Sequence, residues 1–412
     1  MNKYDYQSEA FWNWVASHKD KNVAQLLLGA RQKDAEVDID GAIRQIECRI
    51  KYGKKFDDTL SRFPKFYFPS GLSAEQATSD MLAAFHSSLV RDDDVLADLT
   101  AGLGIDVLHL AAKVKKAVAV ERDRHLAEAL RYNAEGLGIT NLTVFEGDSR
   151  SLINELSGTV AFIDPARRAA DGSRVFGLED CEPDILEMLA TLQNNFGRVL
   201  IKASPMLDIT HTVNQLKTCS DIYAVGTTTE CKELLVLVRS NDDFDGTVTV
   251  HAVTVFPGGD VKSFSFERAD EAAAKPLSAT RMPKAGDLLY VPYPSVMKTA
   301  PVKLLSERFN LFKFHENTHL YFSEAGLDTA NFPGEIFNIV DVVPWQSKNL
   351  KRFKNVYPHI AVSARNFGMS AEALRQKLGV KEGGSAGLRL FGIGLGKNHT
   401  DRLLVVAGQQ KR

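Results

Sequence analysis

The sequence predicts an α/β protein: a doubly wound, mostly parallel sheet of seven strands, with a helical region before it and small α+β domains after it. Between residues 95 and 240, short apolar runs alternate with stretches of helical periodicity, the pattern of a parallel sheet covered on both faces. After Ser240 the periodicity changes to two, which marks a different unit. The 412 residues, 44% hydrophobic and 25% charged, give an ordinary globular composition with length for two to four domains.

The elements follow in order. Ser8–Val15 and Ala42–Ile46 carry apolar residues at helical spacing, and Phe63-Pro64-Lys65-Phe66-Tyr67-Phe68-Pro69 reads as an extended connector. Ser73, with Gln76 three residues on, has the spacing of a capping box, so a helix is expected from there to about Val90. The seven strands are expected at Val95–Ala97, Ala117–Val120, Leu142–Phe145, Thr159–Ile163, Val199–Lys202, Asp221–Val225 and Leu234–Val238. A short polar segment joins the last two, so one antiparallel edge strand is expected. Thr247–Val253 and Ser263–Phe266 flank Pro257-Gly258-Gly259 and read as a hairpin. The tail has strands near Ile336–Val340, Ile360–Val362, Leu388–Leu390 and Leu403–Val406, and a helix near Ala371–Leu378.

Charge and cysteine content bound the setting. Net charge is −2, yet residues 331–412 hold 13 Lys and Arg against 5 Asp and Glu, a basic tail on an acidic body that points to an anionic partner. Four widely spaced cysteines with no C-x-x-C pair fit a reduced, cytoplasmic protein without a zinc ribbon. No apolar run approaches a membrane span, and no basic stretch leads into an apolar segment after Met1, so neither membrane embedding nor a signal peptide is expected.

The chemistry gathers at the carboxyl ends of the first four strands, where open α/β sheets bind ligands. Asp98 ends the first strand and is followed by Thr100-Ala101-Gly102-Leu103-Gly104-Ile105-Asp106; glycines there let the backbone approach a ligand closely. Glu121 ends the second strand, where a carboxylate accepts both hydroxyls of a ribose. Gly147-Asp148-Ser149 follows the third, with Asp148 placed to accept the amine of an adenine. Asp164-Pro165-Ala166-Arg167-Arg168 ends the fourth. Lys202 is a further rim candidate.

Taken together these residues resemble the class I S-adenosylmethionine-dependent methyltransferases, over about residues 70–240. The resemblance implies a Rossmann-like sheet with S-adenosylmethionine as cofactor. Gly102 and Gly104 would lie against its methionine part, Glu121 would hold the ribose, Asp148 with Ser149 would border the adenine, and Asp98 would belong to the same site. Asp164 and Pro165 would orient the methyl acceptor. Enzymes that methylate an amino nitrogen on a base often place an aromatic residue after this Asp-Pro; here Ala166, Arg167 and Arg168 follow, the arginines being candidates to stack on a base or hold a phosphate. Leu289–Ser295, Asn317–Tyr321 and the basic tail look like bacterial methyltransferases that end in a THUMP-like domain, which implies an RNA substrate, tRNA among the candidates. Lys351, Arg352, Lys354, Arg365, Arg375 and Lys377 would then meet phosphates. The domains expected are a helical region 1–69, a methyltransferase domain 70–242, a hairpin and ferredoxin-like linking unit 243–330, and a THUMP-like domain 331–412.

Other motifs fail on context. A nicotinamide fingerprint needs a third glycine where Val107 stands. His315-Glu316-Asn317-Thr318-His319 lies between two strand-like runs, not on a helix, so no metal is expected there. Gly392–Lys397 has Phe391 where a phosphate loop needs its first glycine, and Asn398 in place of Ser or Thr. The readings that stay open are methyl transfer to RNA, methyl transfer to a small molecule, and an RNA-binding protein that keeps a relict cofactor pocket. The sequence leaves the acceptor atom and the oligomeric state open.

Overall fold

The structure, a computed structural model, describes residues 5–29, 37–167, 177–240, 242–326, 331–383, 387–395 and 401–409. Helices α1 (Glu9–His18), α2 (Val23–Gly29) and α3 (Ile39–Tyr52) open the chain. Ser8 caps α1 by accepting the Phe11 amide, which satisfies a donor that the first turn cannot pair internally. Phe11, Trp12, Trp14 and Val15 of α1 pack with Ala42, Ile43 and Ile46 of α3 in one apolar cluster. After α4 (Asp57–Arg62) comes the extended connector, whose backbone is fixed by side chains. Gln45 takes the amide of Phe68 and donates to its carbonyl, and Arg49 donates to the carbonyls of Pro64 and Phe66. Phe66 and Phe68 are fully buried, and burying each contributes about 1.5–3 kcal/mol.

The expected helix from Ser73 to Val90 is two shorter ones, α5 (Gly71–Gln76) and α6 (Asp80–Ser87). Ser70, not Ser73, caps α5, and Ser79 caps α6. The break is at Ala77, whose ψ of 153° is incompatible with a helix, and it turns Thr78 inward to polar partners described below.

The sheet is built from β1 (Val95–Asp98), β2 (Lys116–Glu121), β3 (Leu142–Glu146), β4 (Gly158–Ile163), β5 (Phe196–Ala203), β6 (Cys219–Gly226), β7 (Cys231–Arg239), β8 (Thr249–Val255) and β9 (Val261–Glu267). Their order is β9-β8-β6-β7-β5-β4-β1-β2-β3, so the expected seven strands become nine, the hairpin β8–β9 continuing the sheet beyond β6. The strands β3-β2-β1-β4-β5 are parallel. The antiparallel strand is β7, and it lies inside the sheet between β5 and β6, not at an edge. The short β6–β7 connection leaves no room for a crossover helix, so β7 runs back against β5. Strand order reverses between β1 and β4, which puts the switch point next to Asp98 and Asp164. Helices α7 (Ile105–Ala111) and α8 (Arg124–Gly136) follow β1 and β2.

The chain forms two compact units: one of Met1–Ile222, Glu233–Thr247 and Val255–Asp260, the other of Tyr223–Lys232, Val248–Thr254 and Val261–Arg412. In the second, β10 (Leu277–Ser278), β11 (Leu288–Pro292), β12 (Phe312–His315), β13 (Thr318–Ser323), β14 (Gly334–Pro344), β15 (Ala361–Arg365), β16 (Leu388–Gly394) and β17 (Arg402–Gln409) pair in the order β10-β12-β13-β11-β14-β17-β16-β15. His315 and His319 sit on the antiparallel strands β12 and β13, which is not the helical face a zinc pair needs. Helix Ser347–Val356, which the sequence reading missed, and helix Ala371–Leu378 bury Phe353, Leu374 and Leu378 with Leu390, Leu404 and Val406.

Candidate active site

A cleft of about 790 Å³ opens at the carboxyl ends of β1–β4. Asp98, Gly102, Gly104, Glu121, Asp148, Ser149, Asp164 and Pro165, distant in sequence, all line it. Parallel strands bring this about: each ends at the same rim of the sheet, so the residues at and just beyond each strand end face a common space.

Glu121 is buried, and its carboxylate is already oriented: Oε2 accepts the Gly102 amide at 2.7 Å and Oε1 the Asp123 amide at 2.8 Å. Each oxygen keeps a second lone pair for a hydroxyl. Asp98 is 1% exposed and accepts the Thr100 amide at 3.0 Å. Burial lifts its carboxyl well above the usual range; the Thr100 amide opposes this, and the carboxylates of Asp106, Asp164 and Glu121 add to it. Among the described residues no cation pairs with it.

The two glycines differ. Both have left-handed backbones, φ +56° at Gly102 and +92° at Gly104. A Cβ on Gly102 would enter open space, whereas one on Gly104 would sit 2.2 Å from Leu130 Cδ1 of α8. Gly104 is therefore required by helix packing and Gly102 by the turn that lines the cleft.

Asp148 reaches the cleft but is gripped by Arg150, whose Nε and Nη2 donate to its two oxygens at 2.5–3.1 Å. That hydrogen bonding holds its carboxyl below the usual value. Ser149 is buried beside it. Asp164 is fixed through its amide, which donates to Thr100 Oγ1 at 2.7 Å, and through Oδ2, which accepts from Lys202 Nζ at 2.7 Å. Ala166–Arg167 pairs with Cys181–Glu182 as a short ribbon beyond Pro165. The Arg167 side chain and Arg168 lie outside the described residues.

Sequence reasoning missed a buried polar chain behind the rim. Lys202 Nζ also donates to Thr78 Oγ1 at 2.7 Å, Thr78 donates to Asp106 Oδ2 at 2.5 Å, and Asp106 Oδ1 meets His86 Nδ1 at 2.7 Å. His86 Nε2 meets Glu233 Oε1 at 2.6 Å. Burial pulls the His86 ring down most, but Glu233 and Asp106 together outweigh it and carry the group up to about 9. The signal was available: Asp106 interrupts an otherwise apolar face of α7, and Glu233 precedes the apolar run Leu234–Val238.

In the second unit Lys351, Arg352 and Lys354 lie exposed on helix Ser347–Val356, and Arg365 lies exposed at the end of β15. None of the four is in an ion pair among the described residues. Arg375, also expected to meet phosphate, pairs with the exposed Glu372 and Glu382, and Lys377 rests over the Trp345 ring at 5.5 Å.

Comparison with known proteins places these features. Residues 334–408 match the family model of a THUMP domain-like region, and residues 288–333 that of a ferredoxin-like domain. A candidate methyltransferase from Porphyromonas gingivalis W83 shares the fold along nearly its whole length, with 28% identity, 98% of each chain covered and a TM-score of 0.86. Ribosomal RNA small subunit methyltransferase J of Agrobacterium fabrum is 28% identical over 155 residues, 32% of this chain and 74% of its own length. An uncharacterised protein of Methanocaldococcus jannaschii is 29% identical over 128 residues, 28% of this chain; the match spans about half, 49%, of that relative's length. Among the described residues no helix is long and apolar enough to cross a membrane.

Proposed function

We propose that this chain is an S-adenosylmethionine-dependent methyltransferase that methylates RNA, a reading supported by its THUMP-like carboxy-terminal match and its methyltransferase relatives. The observation that carries the reading is the convergence of Asp98, Glu121, Asp148 and Asp164 on one cleft in which Asp98 lacks a cation among the described residues. A ligand that is both cationic and ribose-bearing suits such a site: a positive charge favours the ionised form of Asp98, and a ribose diol suits the two oriented oxygens of Glu121. When bound, S-adenosylmethionine supplies a sulfonium methyl that is already electrophilic, so the protein's part is alignment and exclusion of water.

The residues divide that work. Glu121 holds the ribose and keeps the Gly102 turn in place through the Gly102 amide. Gly102 leaves space for the methionine part, with Gly104 and Asp98 in the same wall. Asp148, steadied by Arg150, and Ser149 border the adenine. Asp164 and Pro165 orient the acceptor: the carboxylate and the proline carbonyl accept its hydrogens. Ala166 offers no ring for stacking, so the base plane must be held from elsewhere.

Three observations support RNA as the acceptor: the THUMP-like match, the relative named for ribosomal RNA, and the exposed set Lys351, Arg352, Lys354 and Arg365. The test is incubation of the protein with methyl-labelled cofactor and total RNA from a strain lacking the gene. Label in a discrete RNA species is expected. Absence of label from every RNA, with the cofactor bound, overturns the RNA reading in favour of a small-molecule acceptor or a non-catalytic RNA-binding protein.

A further inference from the structure

Lys202 joins the buried polar chain to Asp164: Thr78, Asp106 and Asp164 line the cleft, and the lysine lies behind them. Its side chain is 13% exposed, and two of its three hydrogens go to Asp164 Oδ2 and Thr78 Oγ1, both at 2.7 Å, with Asp106 Oδ2 at 3.7 Å. Among the described residues it is the only donor to the Asp164 carboxylate, whose side chain is 39% exposed and lines the cleft. Thr78 lines the same cleft from the break between α5 and α6. One ammonium thus ties the acceptor-side carboxylate to the wall of the cofactor cleft.

We propose, on the reading given above, that Lys202 is a positioning residue for the methyl acceptor: its ammonium bridges Oδ2 of Asp164 to Thr78 Oγ1 and so leaves Oδ1 to the cleft, where it accepts the acceptor's hydrogen.

The electrostatics fit this division. Burial opposes the charge on Lys202, but Asp164, Asp106 and Glu233 outweigh it and hold the ammonium far above its usual range, so Lys202 is a fixed cation and not a base. Asp164 is pushed up by burial; Lys202 opposes that, while Asp106 and Glu233 add to it. Asp98 on β1, raised by burial, is lifted in its turn by the charge of Asp164, and protonated His86 on α6 balances Asp106 and Glu233 from behind. Without Lys202, Asp164 would stand near the negative charge of Asp106 and Glu233 with no adjacent cation. Its titration would move further up, and the acceptor would lose its partner as the pH falls.

The test follows single-turnover methyl transfer, to an RNA that the wild-type enzyme labels, from about pH 5 to about pH 9. In Lys202→Met the acid limb should move up by about one unit or more. Lys202→Arg, which restores a cation, should bring it back toward the wild-type position, and Asp164→Asn should remove it. An acid limb that stays put in Lys202→Met, or persists in Asp164→Asn, overturns the proposal. Carboxyl NMR on protein labelled at aspartate, without cofactor or RNA, gives a second readout, with Asp164 assigned by its loss in Asp164→Asn. Its midpoint should be higher in Lys202→Met, or in Lys202→Gln if the first does not fold; equal midpoints overturn the proposal. A wild-type enzyme that labels no RNA overturns the functional reading alone, since the NMR measurement does not depend on it.

Discussion

Replacing His86 with leucine should cost the amino-terminal unit about 3–5 kcal/mol at neutral pH, the range for removing one partner from a buried ion pair. The ring is fully buried between Asp106 at 2.7 Å and Glu233 at 2.6 Å, so leucine removes the cation that stands between these two carboxylates. The pH dependence gives a second magnitude. The ring titrates at about 9 in the folded protein against 6.5 when free. A raised pKa gives stability that is fully present below about pH 6.5 and is lost as the pH rises through about 9. Integrated over the titration, the wild type should lose about 2 kcal/mol between pH 7 and pH 9. Urea unfolding in a Trp345→Phe background reads this, because Trp12 and Trp14 then report on the unit that contains His86. A leucine variant as stable as the wild type would refute the reasoning. So would a variant that keeps the wild-type loss between the two pH values.

The two cleft glycines should separate stability from binding. Gly104→Ala should destabilise by about 2–4 kcal/mol in urea unfolding, since it combines a left-handed alanine with displacement of the fully buried Leu130. Gly102→Ala should cost about 1 kcal/mol of stability but weaken binding of S-adenosylhomocysteine more than about tenfold by calorimetry, its methyl group entering the open cleft. Replacing Lys351, Arg352 and Lys354 together with alanine should lower RNA affinity in filter binding and reduce the log–log salt slope by about 2–3, with cofactor affinity unchanged.

How far the sequence revealed this site depends on which residues act locally. The place of Asp98, Glu121, Asp148 and Asp164 at the cleft was legible because each stands at, or within two residues of, the end of a short strand, and parallel topology then brings strand ends together. The buried chain was not legible in the same way. His86 and Glu233 are 147 residues apart, and their pairing depends on where α6 lies against β7, which no local pattern encodes. Ser73 with Gln76 has a capping-box spacing, yet Ser70 caps the helix and the chain breaks at Ala77, so a tertiary demand on Thr78 overrode a local signal. The interior place of β7 also depends on sheet order, which periodicity does not report. The tail's basic residues were legible as charge, but the pairing of Arg375 with Glu372 and Glu382 was not, since the Glu382 contact depends on how the chain returns after the helix.

Calorimetry with S-adenosylhomocysteine on the wild type and on Glu121→Ala tests the cofactor assignment most directly. Glu121 is expected to make two charge-assisted bonds to ribose hydroxyls, so its removal should weaken binding about 100-fold or more. Equal affinity in the two proteins, or no binding by the wild type, would contradict the assignment.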